Sequence, residues 1–380
     1  MIPRPQAYKN ITKILELFPV AALLGPRQCG KTTLARIIAE KNPSTFFDLE
    51  NPVDVARLSA PMSVLENIKG LVIIDEIQRK PELFELLRVL ADRADNPAKF
   101  LILGSASPDM VKGASESLAG RIGFTDLSGF NLWEAGVENR DSLWVRGGFP
   151  NSFLAPDDNG SMVWRENFIR TFLERDIPQL GISIPSETLR RFWTMIAHYH
   201  GRVWNAAQFA RSMGTSEITA RRYLDILAGA YMVRVLPPWF ENLRKRQVKA
   251  PKIYIRDSGI FHALLQLENL SDIQGHPMLG SSWESFALEH VVGAFNNRDI
   301  YFWATHAGAE LDLLVMSKGK RYGFEFKYAD APGTTRSMRT AINDLSLEYL
   351  WVVYPGKEEY ALDETISVIP VSGILKLSSR

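Results

Sequence analysis

The chain has 380 residues, of which 46% are apolar and 23% are charged, and its formal net charge is +1 at pH 7. This length predicts roughly two to three domains, and the near-neutral charge excludes a chain that is basic throughout, so nucleic-acid binding would need a local basic patch. The single cysteine excludes an intrachain disulfide, and no apolar run approaches the roughly 20 residues of a membrane span, which together predict a cytoplasmic protein with no membrane partner.

The first predicted elements form a nucleotide-binding unit. An apolar strand at 20–24 leads into residues 25–32, which match G-x-x-x-x-G-K-[ST], and a helix at 33–40 follows. In this context glycines let successive N–H groups turn toward a triphosphate. We expect Lys31 to reach the β and γ phosphates and Thr32 to bind Mg²⁺. The predicted ATP-binding residues are Gly25, Pro26, Arg27, Gln28, Cys29, Gly30, Lys31, Thr32, Thr33 and Asp75.

A second apolar strand, at 71–74, ends in two carboxylates, Asp75 and Glu76. Open α/β sheets bind ligands at the carboxyl edge of their strands, so these acids are predicted to face the phosphate loop. We expect Asp75 to bind Mg²⁺ together with Thr32, and Glu76 to orient and deprotonate the attacking water.

Two further polar residues lie next to later predicted strands. Ser105 follows the strand at 99–103 and is predicted either to contact the γ phosphate or the lytic water, or to be an ordinary helix N-cap. Arg121 precedes the strand at 122–127, where it is predicted either to reach a neighbouring subunit's γ phosphate or to be a solvated surface charge.

Six motifs together resemble a large prokaryotic group of AAA+ ATPases whose C-terminal domain is of unknown function. They are GPRQCGKTT at 25–33, IDEIQ at 74–78, LGSAS at 103–107, LAGR at 118–121, GGFP at 147–150 and LERDI at 173–177. The resemblance covers nearly the whole chain. It implies an α/β fold with an ASCE-type P-loop AAA+ parallel-sheet core, a helical lid, a winged helix and a restriction-endonuclease-like α/β domain of the PD-(D/E)XK type. The boundaries expected on this basis are 1–130, 131–185, 186–256 and 257–380.

The segment at 186–256 carries a predicted helix-turn-helix. A short helix at 205–213, a turn at 214–216 and a longer helix at 217–231 have the order of a DNA-reading unit. At about 100° per residue, Arg221 and Arg222 fall away from the apolar stripe of the second helix and are predicted to face outward.

A basic stretch follows this unit, after an extended segment at 233–239 that would be the wing. Such a patch can neutralise phosphates, although a solvated face or a protein-contact module would have the same composition. With the two helix arginines, the predicted DNA-binding residues are Arg221, Arg222, Arg244, Lys245, Arg246, Lys249 and Lys252.

The C-terminal region carries a third group of candidate residues. Asp312 lies on a predicted strand at 310–315, and a hairpin partner at 321–327 places Glu325 and Lys327 on a common face. An Asp followed by E-x-K suits metal-assisted phosphodiester hydrolysis, with a second Mg²⁺ or Mn²⁺ held by the acids, but a cross-strand Glu–Lys pair is the simpler alternative. Glu284 matches the additional acid that endonuclease-like domains supply from their first helix.

These patterns and the resemblance favour a Mg²⁺-dependent ATPase that binds structured or branched DNA in repair or recombination. It is expected to be a ring-shaped motor of six subunits. Two alternatives remain open. One is a nucleotide-gated nuclease that uses the C-terminal acids, and the other is an ATP-dependent switch that acts on a protein partner.

Overall fold

The computed structural model describes residues 2–93, 98–104, 108–240, 247–295 and 299–377. The chain divides into two compact units, of which the first comprises Met1–Phe130 with Gly229–Tyr231 and the second Asn131–Ala228 with Met232–Arg380. The division after residue 130 coincides with the first predicted boundary. The other two predicted boundaries, after 185 and after 256, both lie inside the second unit.

The first unit is built on a parallel sheet of five strands. The strands are β1 (Val20–Leu24), β2 (Ser44–Asp48), β3 (Gly70–Asp75), β4 (Ala98–Gly104) and β5 (Ile122–Asp126), in the order β2-β3-β4-β1-β5. Its helices are α1 (Pro5–Leu17), α2 (Lys31–Glu40), α3 (Pro52–Arg57), α4 (Pro61–Leu65), α5 (Leu83–Ala91) and α6 (Pro108–Ser117). Every described pairing in this sheet is parallel, so the carboxyl ends of all five strands lie at one edge.

Burial of the strands explains why they could be predicted from continuous apolar runs in the sequence. Residues 20–23 of β1 and 72–74 of β3 are fully buried, as expected for strands covered on both faces by helices. The parallel-sheet α/β core is therefore confirmed. Strand β1 has its predicted bounds, and β3 and β4 are each one residue longer at both ends than predicted.

The second unit begins with helices. These are α7 (Leu132–Ala135), α8 (Arg140–Arg146), α9 (Pro150–Phe153), α10 (Asp158–Thr171), α11 (Ile177–Gln179), α12 (Ser186–His198), α13 (Ala206–Met213) and α14 (Glu217–Gly229). A π-helical turn, Phe172–Asp176, joins α10 to α11. An antiparallel sheet of three short strands follows the order β6-β8-β7 and consists of β6 (Arg202–Val203), β7 (Val233–Leu236) and β8 (Lys252–Ile255).

A mixed sheet of six strands fills the C-terminal part of the second unit. Its order is β13-β14-β12-β11-β10-β9, with β9 (Ile300–Ala304), β10 (Glu310–Ser317), β11 (Lys320–Phe326), β12 (Tyr349–Tyr354), β13 (Tyr360–Ala361) and β14 (Ile366–Pro370). Its helices are α15 (Ser258–Leu264), α16 (Leu270–Gly275), α17 (Leu279–Ala294), α18 (Arg336–Leu345) and α19 (Ile374–Leu377). Strands β9, β10 and β11 are antiparallel neighbours, whereas β11, β12 and β14 run parallel.

Within the described ranges, no helix is both long enough and apolar enough to cross a membrane.

Candidate active site

The loop between β1 and α2 is shaped by glycine. A Cβ atom at Gly25 would lie 2.0 Å from the carbonyl oxygen of Leu127, so no other residue fits at that approach. Gly30 has a φ of 100° and begins α2, a conformation that favours glycine. Cys29 is buried, and its Sγ lies 3.3 Å from the same Leu127 oxygen, so this thiol has a packing role. The sequence thus determines a rigid turn at the start of α2.

The ammonium group of Lys31 lies inside this loop. Its Nζ donates to the carbonyl oxygens of Gly25 at 3.0 Å and Pro26 at 2.8 Å, and the residue is only 5% exposed. Because the loop backbone holds this cation at the amino end of α2, the positive charge and the helix dipole act at the same place. The arrangement is suited to binding an anion such as a nucleotide phosphate.

Thr32 and Asp75, which are 43 residues apart in sequence, meet at the carboxyl edge of the sheet. Thr32 Oγ1 donates to Asp75 Oδ2 at 2.6 Å. Burial raises the pKa of Asp75 above its usual value, and the Thr32 hydrogen bond opposes that rise. A buried carboxylate beside a hydroxyl fits Mg²⁺, which proteins usually hold through one or two carboxylates together with substrate phosphates. Thr32 and Asp75 are the residues that would hold it.

Glu76 is positioned by backbone geometry and by two neighbouring side chains. It has a φ of 55° in the left-handed region, which turns the chain sharply just after β3. Its carboxylate lies 3.5 Å from the Arg27 guanidinium and accepts a hydrogen bond from Gln78. The structure therefore brings Arg27 of the phosphate loop and Glu76 together, a contact that no pattern in the sequence indicated.

Glu50 is a site residue that the sequence analysis missed. It lies two residues beyond β2 and contacts Arg27 at 3.2 Å, so Arg27 lies between two carboxylates. This placement follows from the pairing of β2 with β3, in which Asp48 lies opposite Asp75. If β2 had been predicted to pair with β3, Glu50 would have been placed at the carboxyl edge of the sheet, near the phosphate loop.

Arg121 lies at the opposite edge of the sheet from the phosphate loop. It precedes β5, and its carbonyl oxygen accepts from the N–H of Val20 at the start of β1. Its guanidinium makes a two-point contact with Asp92, with Nη2 2.9 Å from Oδ2, which raises the pKa of Arg121 and lowers that of Asp92. It therefore cannot serve the phosphate loop of its own chain, and both predicted alternatives, a contact to a second subunit and a surface charge, stay open.

Four predicted site residues, Ser105, Arg244, Lys245 and Arg246, lie outside the described residues. Thr33, which was predicted to bind ATP, is exposed in the first turn of α2. Lys249, which was predicted to bind DNA, is exposed before β8.

The predicted helix-turn-helix forms as α13 and α14. Gly214 ends α13 with a φ of 66°, and the Ser216 hydroxyl accepts from the N–H of Thr219 at the start of α14. Arg221 and Arg222 are both exposed, and Arg221 Nε lies 2.9 Å from Asp225 Oδ1. The arginines thus face outward as expected, with one of them already held in an ion pair.

The C-terminal acids and lysines converge on one centre. Lys327 Nζ lies 2.9 Å from Glu325 Oε2 and 4.0 Å from Asp312 Oδ2, and the N–H of Phe326 donates to Asp312 at 3.0 Å. Glu284 of α17 accepts from the Tyr254 hydroxyl at 2.6 Å. Burial raises the pKa of Glu284 to about 7 and that of Glu325 to about 8.

Lys252 differs from its expected role. It was predicted to be a DNA contact, but it is 4% exposed and its Nζ lies 3.7 Å from Glu284 and 4.0 Å from Asp312, with Glu310 also in contact. A buried ammonium paired with carboxylates is not available to a DNA backbone. We therefore assign Lys252 to the C-terminal centre.

The metal predicted at this centre does not fit the side chains as they lie. No group of three or more His, Cys, Asp or Glu residues in the described ranges is arranged to hold a metal ion. The cations among these carboxylates are the ammonium groups of Lys252 and Lys327.

Three family models match the chain. A model described as an AAA domain matches residues 18–135, and two domains of unknown function, DUF8612 and DUF4143, match residues 137–271 and 279–374. The AAA domain match ends at residue 135, five residues beyond the end of the first compact unit at Phe130.

Two solved structures are similar to this chain at a low level. The Walker-type ATPase PABY2304 of Pyrococcus abyssi has a TM-score of 0.48 at 14% identity and covers 70% of this chain and 96% of its own. The Bacillus subtilis DNA clamp loader delta protein (YqeN) has a TM-score of 0.30 at 12% identity and covers 58% of this chain and 88% of its own. Because both scores are low, the assignment rests on the phosphate loop, the parallel sheet and the AAA domain match. These show that the first unit is related to P-loop ATPases of the AAA class.

Two mycobacterial relatives are similar over the full length. Uncharacterized protein Mb2031c of Mycobacterium bovis and uncharacterized protein Rv2008c of Mycobacterium tuberculosis are each 49% identical over 379 residues, which is 100% of this chain and 86% of the relative. The chain belongs to the family of these two proteins.

Proposed function

We propose that this protein hydrolyses ATP with Mg²⁺ and couples hydrolysis to the binding of duplex or branched DNA in repair or recombination, as a ring of identical subunits, with a hexamer the expected size. The observation that carries the ATPase part is the 2.6 Å hydrogen bond between Thr32 and Asp75, with Glu76 as the next residue. It joins a hydroxyl of the phosphate loop to a buried acid at the ligand-binding edge of the sheet.

Each residue of the candidate site has a separate role in the proposed ATP hydrolysis. Mg²⁺, when bound, neutralises charge on the β and γ phosphates. Lys31 supplies a second positive charge from within the loop, and the loop N–H groups bind phosphate oxygens. Glu76 accepts a proton from the attacking water, and its contacts with Arg27 and Gln78 orient the carboxylate for that role.

The experiment that tests this proposal compares ATPase rates of the purified full chain with no DNA, with duplex DNA and with a four-way junction. We expect hydrolysis without DNA and a higher rate with one of the two DNAs. Native mass measured with ATP, with and without the same DNAs, reports the ring. An unchanged rate together with no binding at moderate salt would overturn the DNA part and leave the switch acting on a protein partner.

The DNA-binding surface is proposed to be α14. Support comes from the exposed arginines on this helix and from the helix order of the segment. We expect the double variant Arg221→Ala/Arg222→Ala to bind duplex DNA about tenfold more weakly and to reduce the slope of log affinity against log salt by about 2, because two phosphate contacts are lost. Fluorescence anisotropy over a salt series measures both quantities.

A matched control removes the same charge elsewhere. Arg170 of α10 is exposed and forms an i,i+4 ion pair with Glu174, like the pair between Arg221 and Asp225. Arg175, in the π-helical turn after α10, is also exposed. We expect Arg170→Ala/Arg175→Ala to leave the salt slope unchanged. Equal losses in the two double variants would show that α14 has no special role.

The ring is proposed to place Arg121 at a neighbour's γ phosphate. We expect Arg121→Ala to lower kcat by roughly tenfold or more at unchanged oligomeric size, a smaller effect than many such arginines show because Arg121 must first leave Asp92. Steady-state ATPase assays with native mass measurement test this. Full activity in an intact ring of Arg121→Ala would remove the assignment.

A second candidate function is phosphodiester cleavage at the C-terminal centre. The convergence of Asp312, Glu325 and Lys327 favours it, as does the order of helix, three strands, helix and strand from α17 to β12, which supports an endonuclease-like fold. Labelled DNA incubated with Mn²⁺ tests it, and cleavage that is lost in Lys327→Ala would support it. Equal cleavage by both proteins would indicate contamination. The buried Lys252 argues against cleavage in the conformation seen.

A further inference from the structure

The C-terminal centre is assembled from two different sheets. Asp312 and Glu325 lie on β10 and β11 of the six-stranded sheet, and Lys327 follows β11 directly. Lys252 instead begins β8 of the three-stranded sheet. Its side chain therefore reaches the acids from a different sheet. The spacing of the E-x-K pattern gives no indication of this contact.

The position of β8 is fixed by the segment before it. The N–H of Trp239 donates to the carbonyl of Phe302 at 2.7 Å, and the N–H of Val248 donates to the carbonyl of Ala304 at 2.9 Å. Both acceptors are in β9, at the edge of the six-stranded sheet. These bonds hold the start of β8 beside the centre, so the backbone of the fold fixes the position of Lys252 next to the acids.

The burial of Lys252 is costly unless its charge is compensated. Moving an ammonium out of water is strongly unfavourable, so buried lysines are almost always paired. Here Glu284, Glu310 and Asp312 surround the Nζ atom within 4.0 Å. Three carboxylates at these distances compensate the positive charge of the buried ammonium.

A cation at this point has an electrostatic consequence. Carboxylates that already pair with an ammonium have fewer free oxygens for a metal, and a divalent ion beside that ammonium would be repelled. Removing the ammonium would leave the same acids close together without compensation. This is the situation in which a divalent cation binds and stabilises a protein.

We infer that the Lys252 ammonium is the resident cation of the C-terminal centre and closes this centre to divalent metal in the wild-type chain. The inference concerns a site in the second unit and does not depend on the ATPase proposal. It predicts that loss of this one lysine converts the centre into a metal site.

The test uses the full chain, free of nucleotide and stripped with EDTA, with thermal unfolding followed by tryptophan fluorescence. All nine tryptophans lie between residues 133 and 351, so this signal reports the second unit. We expect Lys252→Met to melt below the wild type in EDTA and to gain about 5 °C in Tm with millimolar Mn²⁺. The wild type is expected to shift by less than about 1 °C on the same scale.

Two control variants separate metal binding from loss of charge. Lys327→Met removes an ammonium from the same acids but keeps Lys252, so we expect no gain in Tm with Mn²⁺. Lys252→Met/Asp312→Asn removes a metal ligand and is expected to lose the gain. An equal response of Lys252→Met and Lys327→Met would overturn the inference.

The wild type supplies a second measurement that does not depend on the folding of any lysine variant. Mn²⁺ uptake, counted by electron paramagnetic resonance without nucleotide, should be the same for wild type and Asp312→Asn. Loss of one bound ion in Asp312→Asn would show that the wild-type centre holds metal, and the inference would be wrong.

Discussion

Replacing Glu76 with Gln is expected to lower kcat for ATP hydrolysis by about 10²–10⁴-fold while leaving the Kd for ATP within a few-fold of wild type. The amide has nearly the same shape as the carboxylate but cannot accept a proton from water. Binding depends instead on Lys31 and the loop N–H groups, which the substitution leaves in place. Single-turnover hydrolysis and calorimetric ATP binding give the two quantities separately.

Glu50→Gln is the matched control for this experiment. Glu50 contacts the same Arg27 guanidinium at 3.2 Å, so both variants remove one carboxylate partner of that arginine. We expect Glu50→Gln to keep kcat within about tenfold of wild type, because Glu50 does not follow the metal-binding acid in sequence. If the two variants lost activity equally, the effect would come from Arg27 and Glu76 would not be the base.

The ATPase core was predictable because its strands are buried on both faces. The apolar runs at β1, β3 and β4 are continuous, and each ends at or next to a predicted site residue or the phosphate loop, at one edge of the sheet. Strand β2 was missed because its sequence, Ser-Thr-Phe-Phe-Asp, is partly exposed and lies at the edge of the sheet. The contact between Glu50 and Arg27 was missed for the same reason, since it depends on the placement of β2.

The C-terminal centre could be predicted only in part from the sequence. Alternation along β11 was sufficient to predict that Glu325 and Lys327 share one face. The pairing of β10 with β11 in the structure adds Asp312 to them. Lys252 was grouped with its basic neighbours, because composition along the chain cannot distinguish a solvated lysine from one that meets acids about 30 to 60 residues away. A local signal was present, since Lys252 begins an otherwise apolar strand, Lys-Ile-Tyr-Ile.

The second large effect is expected at Glu289, where the free energy of unfolding should fall by about 3 kcal/mol at pH 7 on substitution by Gln. Glu289 of α17 has a side chain 17% exposed and lies between Arg234 and Arg256, with Arg234 Nη2 2.8 Å and Arg256 Nε 3.3 Å from Oε2. Removing this carboxylate leaves two largely buried guanidinium groups without their shared anion. Urea unfolding followed by tryptophan fluorescence measures the loss in the second unit.

Glu174→Gln is the matched control, because it removes an exposed carboxylate that pairs with one arginine at 3.2 Å. Exposed pairs contribute little, so we expect a change within about 0.5 kcal/mol. Equal effects of the two substitutions would mean that the buried position of Glu289 gives no extra stability.

The pH dependence of the same variant identifies the cause as charge. Burial alone would raise the pKa of Glu289, but Arg234 and Arg256 outweigh it and lower the pKa from 4.5 to about 2. Because the folded pKa lies below the unfolded one, this stabilisation is complete above about pH 4.5 and is lost as the pH falls toward 2. The difference in unfolding free energy between wild type and Glu289→Gln should therefore be constant from pH 7 to pH 5 and shrink below pH 4. A difference that stayed constant down to pH 3 would show that shape, and not ionisation, makes Glu289 stabilising.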